Sequence, residues 1–272
     1  LAIIWENAEN LDLLIQIQAR LNIHIHILRG LMKINVVKPQ NITKNEIEKN
    51  LFIQNNHINI LIWLLEMKIP RILLQTSPQK QPTNVVNMLK KRCRGWIYYH
   101  FTDQEIIRYF INHPEPEFPF IINKFHEMRF GAHKADLFRY YFLYQNGGVF
   151  LDSDAMIECP IDSIVKEYEL FSVKSYINNT VFQGFIGCTP RHPVLYEALK
   201  DVYTVNVLQL TNDYHLLTQN MFRFFEADEN HHLYQEQESD GEKAITVDEQ
   251  GSHILTHYWK NKTIPAKNYY FY

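Results

Sequence analysis

Residues 130–157 read FGAHKADLFRYYFLYQNGGVFLDSDAMI. The first half has helical texture. Asp136 and Arg139, three apart, share one helical face, while Phe138 and Phe142 pack inward on another. Gly147 and Gly148 supply the left-handed conformation that ends a helix, and they lead directly into a short apolar run, VFL, that reads as a buried strand. Asp152 and Asp154 come next in alternate positions and so project to the same side of the extended chain. Ligands of α/β sheets bind at the carboxyl ends of strands, which is where these two carboxylates fall. Two hard oxygen donors placed together suit a divalent cation such as Mn²⁺ or Mg²⁺, and such a cation neutralises a diphosphate. The plainer reading of Asp152 and Asp154 is a strand-end turn with solvated carboxylates. That of Asp136 and Arg139 is a surface helical pair of little energetic weight.

Working outward, PRILLQT at residues 70–76 reads as a first strand after a proline, and Trp96–Tyr99 as a second. TDQEIIRYF is a helix capped by Thr102 with Glu105 three residues on. Phe118–Ile122 reads as a connection. Strands are expected at Leu170–Lys174 and Thr180–Cys188, and helices from Pro193 to about Val202 and around His215–Phe225. Residues 226–250 (EADENHHLYQEQESDGEKAITVDEQ) are so polar that they read as a surface excursion. Alternating strands and helices imply an α/β layer architecture with a mostly parallel sheet. Residues 1–67 differ in texture, with Ile- and Asn-rich helical patterns such as NLDLLIQIQARL and a candidate N-cap at Thr43. The expected organisation is therefore a helical segment over 1–67, of no evident chemistry, followed by one domain over 68–272.

The chain has 272 residues, 46% of them hydrophobic, which is enough for a sizeable core. A formal net charge of −3 offers no basic surface for phosphodiesters, so a nucleic-acid partner is not expected. Cys93, Cys159 and Cys188 are widely spaced and odd in number, which suggests thiols in a reducing compartment rather than a disulfide frame. The longest apolar run, INILIWLL, is far short of the roughly 20 residues that span a bilayer. The chain starts at Leu1 without a basic-then-apolar leader and reads as a piece of a longer protein; a cytoplasmic or membrane-peripheral location is the expectation.

The pattern ADLFRYYFLYQNGGVFLDSD, five spaced features in twenty residues, resembles the DXD-containing sugar transferases. That group includes fungal initiating mannosyltransferases and inositol-phosphoceramide mannosyltransferases. IPRILLQT, the TPRHP turn and HYWK extend the resemblance over residues 69–260. It implies a GT-A-type, Rossmann-like domain that moves a hexose from a UDP- or GDP-sugar to a hydroxyl of a glycan, lipid or protein acceptor, with Mn²⁺ or Mg²⁺ and with retention of configuration. Residue by residue, it implies that Asp136 and Arg139 hold the donor sugar and that Asp152 touches ribose and metal. Asp154 and His257 would ligate the metal, and Trp259 and Lys260 would face the phosphates. Gln75 and Thr76 would lie near the base, and Gln183 near the sugars. Leu74 and Phe150 stand where relatives often carry His and Tyr, which keeps open a non-catalytic binder of nucleotide sugars or of a partner. A phosphohydrolase using Asp-x-Asp as nucleophile and acid is a second alternative, poorly matched by the helix and Gly-Gly that precede Asp152.

Overall fold

The computed structural model describes residues 68–238 and 241–259. The chain divides between Met67 and Lys68, and all the described residues lie in the second unit. The helical patterns expected over 1–67, the apolar run within them and Lys260 fall outside the described residues.

The unit opens with β1 (Ile72–Thr76), α1 (Thr83–Arg92), β2 (Ile97–Phe101), α2 (Asp103–Asn112), α3 (Ile121–Glu127), α4 (Gly131–Asn146) and β3 (Gly148–Leu151). It continues through β4 (Ala155–Ile157), α5 (Ile161–Val165), β5 (Leu170–Lys174), β6 (Phe185–Cys188), α6 (Pro193–Thr204), α7 (Val207–Asn212) and α8 (Leu216–Glu226). It closes with β7 (His231–Glu238), β8 (Ala244–Val247) and β9 (His253–His257). One nine-stranded sheet runs in the order β2-β1-β3-β6-β5-β7-β8-β9-β4.

The α/β class is as expected, and the sheet is mixed. Pairing is parallel across β2-β1-β3 and between β5 and β7, where helices make the crossovers. It is antiparallel at β3-β6, β5-β6, β7-β8, β8-β9 and β9-β4. β7 and β8 are the largest departure from the sequence reading, since they occupy the stretch expected to be a surface excursion. Tyr234 and Glu236 are buried on β7 while Gln235 and Gln237 face out, so the strand alternates, but its inward position at 236 is a carboxylate. The strand expected at Thr180–Cys188 is shorter than foreseen. The regular strand is Phe185–Cys188; residues 180–182 bridge the end of β5 through Val181 and Lys174, and the Gly184 carbonyl then accepts from the Asp152 amide.

Helix α4 is buried almost all round, which marks a core helix rather than an amphipathic surface one. Its Phe138 and Phe142 meet Phe101 at ring-centroid distances of 5.1 and 5.9 Å, and Phe110 packs edge-on against Tyr141 at 4.9 Å. Gly147 closes α4, its amide bonding to the Leu143 carbonyl, with φ of 64°; Gly148 comes next with φ of 105°. A Cβ at Gly148 would lie 2.8 Å from the Ile72 carbonyl oxygen, so only glycine lets β3 enter the sheet directly beside β1. This pair of glycines delivers the aspartates after β3 to the same end of the sheet as the end of β1. α2 carries the expected capping box between Thr102 and Glu105. Cys93, Cys159 and Cys188 are all free thiols, and burial pushes the Cys188 thiol far up.

Candidate active site

Asp136 and Arg139 are not the solvated pair of the plainer reading, because their side chains are only 6% and 3% exposed. The Arg139 guanidinium lies over the Phe150 ring, 4.2 Å from its centroid, and spreads its donors over three acceptors. Nη1 donates to the Gln183 carbonyl at 2.6 Å. Nη2 meets Asp152 Oδ1 at 3.1 Å and Asp136 Oδ1 at 3.2 Å. Gln183 completes the cluster: its amide nitrogen donates to Asp136 Oδ1 at 2.8 Å, and its amide oxygen accepts from the Tyr140 hydroxyl. Burial pushes the Asp136 carboxyl up to about 6, although Arg139 pulls the other way.

Asp152 is held from three sides. Its backbone oxygen accepts from Gln75 Nε2 at 3.1 Å, and its amide donates to the Gly184 carbonyl at 2.7 Å. Gly184 is pressed so closely against it that a Cβ there would collide with Asp152 Oδ2. Gln75 is fully buried and its oxygen accepts from the Tyr98 hydroxyl at 2.9 Å, so both ends of its amide are engaged inside the protein. Gln75 thus braces Asp152, and Gln183 likewise braces Asp136 and Arg139. Thr76, at the end of β1, is also buried.

Asp154 reaches the site through β4 and β9. Ala155 pairs with His257, and Tyr258 donates its amide to the Asp154 carbonyl at 2.9 Å. His257 Nε2 lies 4.0 Å from Asp154 Oδ1, while Nδ1 lies 3.6 Å from Glu236 Oε1. Phe182 stacks on the imidazole at 4.1 Å. Burial, the largest single influence on His257, disfavours its charge, but Glu236 and then Asp154 and Asp152 outweigh burial and raise its pKa. Trp259 presents a buried indole N–H that finds no acceptor among the described residues.

Asp152, Asp154, Asp136, Arg139, Gln183, Gln75 and His257 are therefore linked through one network at the ends of β1, β3, β4 and β9. Asp152 and Asp154 keep side chains 27% and 18% exposed, which a ligand from solvent can reach. No group of three or more His, Cys, Asp or Glu side chains poised around one metal position exists among the described residues. Asp152, Asp154 and His257 lie at one end of the sheet, with His257 Nε2 4.0 Å from Asp154 Oδ1, without forming a closed three-ligand shell. Two accessible carboxylates still fit the way Mg²⁺-like cations are commonly held, through one or two protein carboxylates with substrate phosphates completing the shell.

Glu236 is the residue that sequence reasoning missed. Its signal was the period-two alternation of YQEQE, masked by uniform polarity.

A mixed α/β sheet with an Asp–Arg–Asp cluster at its strand ends defines the candidate active site. Among known proteins, residues 79–171 match the family described as "Glycosyltransferase sugar-binding region containing DXD motif". The chain is 28% identical over 147 residues to inositol phosphoceramide mannosyltransferase 1 of Schizosaccharomyces pombe, covering 51% of this chain and 44% of that protein. It is 25% identical over 142 residues to a mannosyl phosphorylinositol ceramide synthase of Saccharomyces cerevisiae, covering 49% and 35%. The similarity to the DXD-containing glycosyltransferase family thus centres on residues 79–171, and the chain spans less than half the length of these curated relatives. The PaToxG glycosyltransferase structure is similar with a TM-score of 0.43 and 12% identity, over 65% of this chain and 79% of that one. No helix among the described residues is long and apolar enough to cross a membrane.

Proposed function

We propose that the unit at residues 68–272 transfers a hexose from a nucleoside-diphosphate sugar to an acceptor hydroxyl, with a divalent cation, Mn²⁺ or Mg²⁺, and with retention of configuration. The observation that carries this reading is the locked position of Asp152, fixed by Arg139, Gln75 and Gly184 while its side chain stays accessible beside Asp154. Burying an Asp–Arg–Asp cluster to steady one accessible carboxylate is costly for stability alone, and hydrophobic replacements of such clusters are often neutral or better. The expense is accounted for if Asp152 must meet a ligand at a fixed position.

In this reading Asp152 and Asp154 hold the cation, which when bound supplies positive charge against the departing diphosphate. The Trp259 indole N–H, without an acceptor among the described residues, donates to a phosphate oxygen. Arg139 and Asp136 fix Asp152 from behind. Arg139 is almost wholly buried, so its effect on the donor sugar passes through Asp152. The names of the fungal relatives make mannose the first sugar to test and an inositol-phosphate lipid the first acceptor.

The test is a thermal-shift series with UDP- and GDP-hexoses, each with and without Mn²⁺. A ligand bound only by the folded state raises the midpoint as its concentration exceeds Kd. At least one nucleotide sugar is expected to raise the midpoint only when Mn²⁺ is present. Equal shifts with and without the metal contradict the cation's role, and no shift with any nucleotide sugar contradicts the donor class.

A further inference from the structure

Glu236 carries one of the few buried carboxylates outside the Asp136–Arg139 cluster, and it lies on a strand remote in sequence from the Asp-x-Asp motif. Its side chain is 2% exposed. Oε2 is anchored by the Ser175 hydroxyl at 2.7 Å and faces the Tyr176 amide at 3.4 Å. Oε1 has no hydrogen-bond partner among the described residues and lies 3.6 Å from His257 Nδ1. A buried carboxylate costs several kcal/mol when left without a counterpart, so its persistence calls for a function of that free oxygen. Ala244, the residue of β8 opposite His257, carries only a methyl group on the strand between them.

The imidazole is fixed by two independent contacts. Phe182, stacked at 4.1 Å with 21° between the planes, sets the plane of the ring. Glu236 sets which ring edge turns inward, and that leaves Nε2 directed at Asp154. A His whose outer nitrogen faces a cation characteristically donates its other N–H to a carboxylate, which selects the tautomer and raises the basicity of the ligating nitrogen. We propose that Glu236 is a positioning residue that holds His257 with its proton on Nδ1, so that the Nε2 lone pair is turned toward Asp154 and the cation that Asp154 helps to hold. The cation part of this proposal rests on the function proposed above; the choice of tautomer does not.

Two measurements on the full chain test it. In the wild type, ¹H–¹⁵N correlation of the ¹⁵N-histidine-labelled protein reads the tautomer at about pH 9, where an imidazole is ordinarily neutral. The His257 signals are assigned by their absence in His257→Gln. The Nδ1–H tautomer is expected, and the Nε2–H tautomer overturns the proposal without any variant of Glu236 having to fold. In Glu236→Gln, whose amide can either accept from or donate to Nδ1, the tautomers are expected to mix. Mn²⁺ affinity, followed by the spin-resonance signal of free Mn²⁺, is expected to fall roughly 10- to 100-fold. An unchanged tautomer together with unchanged Mn²⁺ affinity overturns the proposal. Failure of the wild type to bind Mn²⁺ overturns the cation part of both readings, and the wild-type spectrum then decides the role of Glu236 alone.

Discussion

Arg139→Lys keeps the charge and removes the fork, and the geometry sets the size of the loss. The guanidinium reaches Gln183, Asp152 and Asp136 at 2.6, 3.1 and 3.2 Å from two nitrogens while lying flat on Phe150. A single ammonium cannot span those acceptors or stack as a plane. Because the charge is kept, the loss is less than the ~3–5 kcal/mol of leaving a buried partner uncompensated. One or two hydrogen bonds to charged groups go, at ~1.5–3 kcal/mol each, so a destabilisation of about 2–4 kcal/mol is expected. For a domain of this size that is a fall in Tm of about 5–15 °C. Thermal unfolding followed by circular dichroism reads it. Donor binding should fall as well, because Asp152 loses its lateral support. A loss under about 1 kcal/mol, the range of solvated pairs, would refute the reasoning and return Arg139 to an ordinary helix position.

Asp136 gives a pH dependence of definite sign. Its pKa is raised to about 6 in the folded chain, against an ordinary value near 3.8, so its contribution to stability is fully present below about pH 4 and is lost as pH rises through 6. Asp136→Asn should remove up to ~3 kcal/mol of that slope, seen as a difference between the wild-type and variant curves of unfolding free energy against pH; superimposable slopes would count against the burial argument. Gly184→Ala, which forces a Cβ onto Asp152 Oδ2, should weaken metal-supported nucleotide binding tenfold or more, because shifts of about 1 Å at a site are amplified. Trp259→Phe should leave the unfolding midpoint nearly unchanged, since no hydrogen bond among the described residues is lost, yet weaken nucleoside-diphosphate binding about 2- to 10-fold by calorimetry.

The residues that carry the site were legible wherever local rules apply. The helix of 131–146, the glycine pair and the strand into Asp152 are set by periodicity and by the left-handed backbone only glycine enters easily. The spacing of Asp136 and Arg139 showed that they share a face, but no local rule shows that α4 is covered on every side, and burial decides their energetics. Gln75 and Gln183 could be placed near the site from their strands. That they brace Asp152 and Arg139 depends on contacts 77 and 44 residues away in sequence. β7 was missed because its inward position at 236 is occupied by a carboxylate, which sequence pattern counts as surface and the structure places against His257.

The central claim is that Asp152 and Asp154 hold the cation on which sugar release depends. It is tested most directly by Mn²⁺-supported hydrolysis of GDP-mannose and UDP-glucose, compared between the wild type and Asp154→Asn. Asparagine keeps the shape of the side chain and removes the charge. The account predicts hydrolysis of at least one donor by the wild type only with the metal, and a fall of at least about two orders of magnitude, ~2.7 kcal/mol, in a variant with an unchanged unfolding midpoint. Undiminished metal-dependent hydrolysis by a correctly folded Asp154→Asn would contradict it.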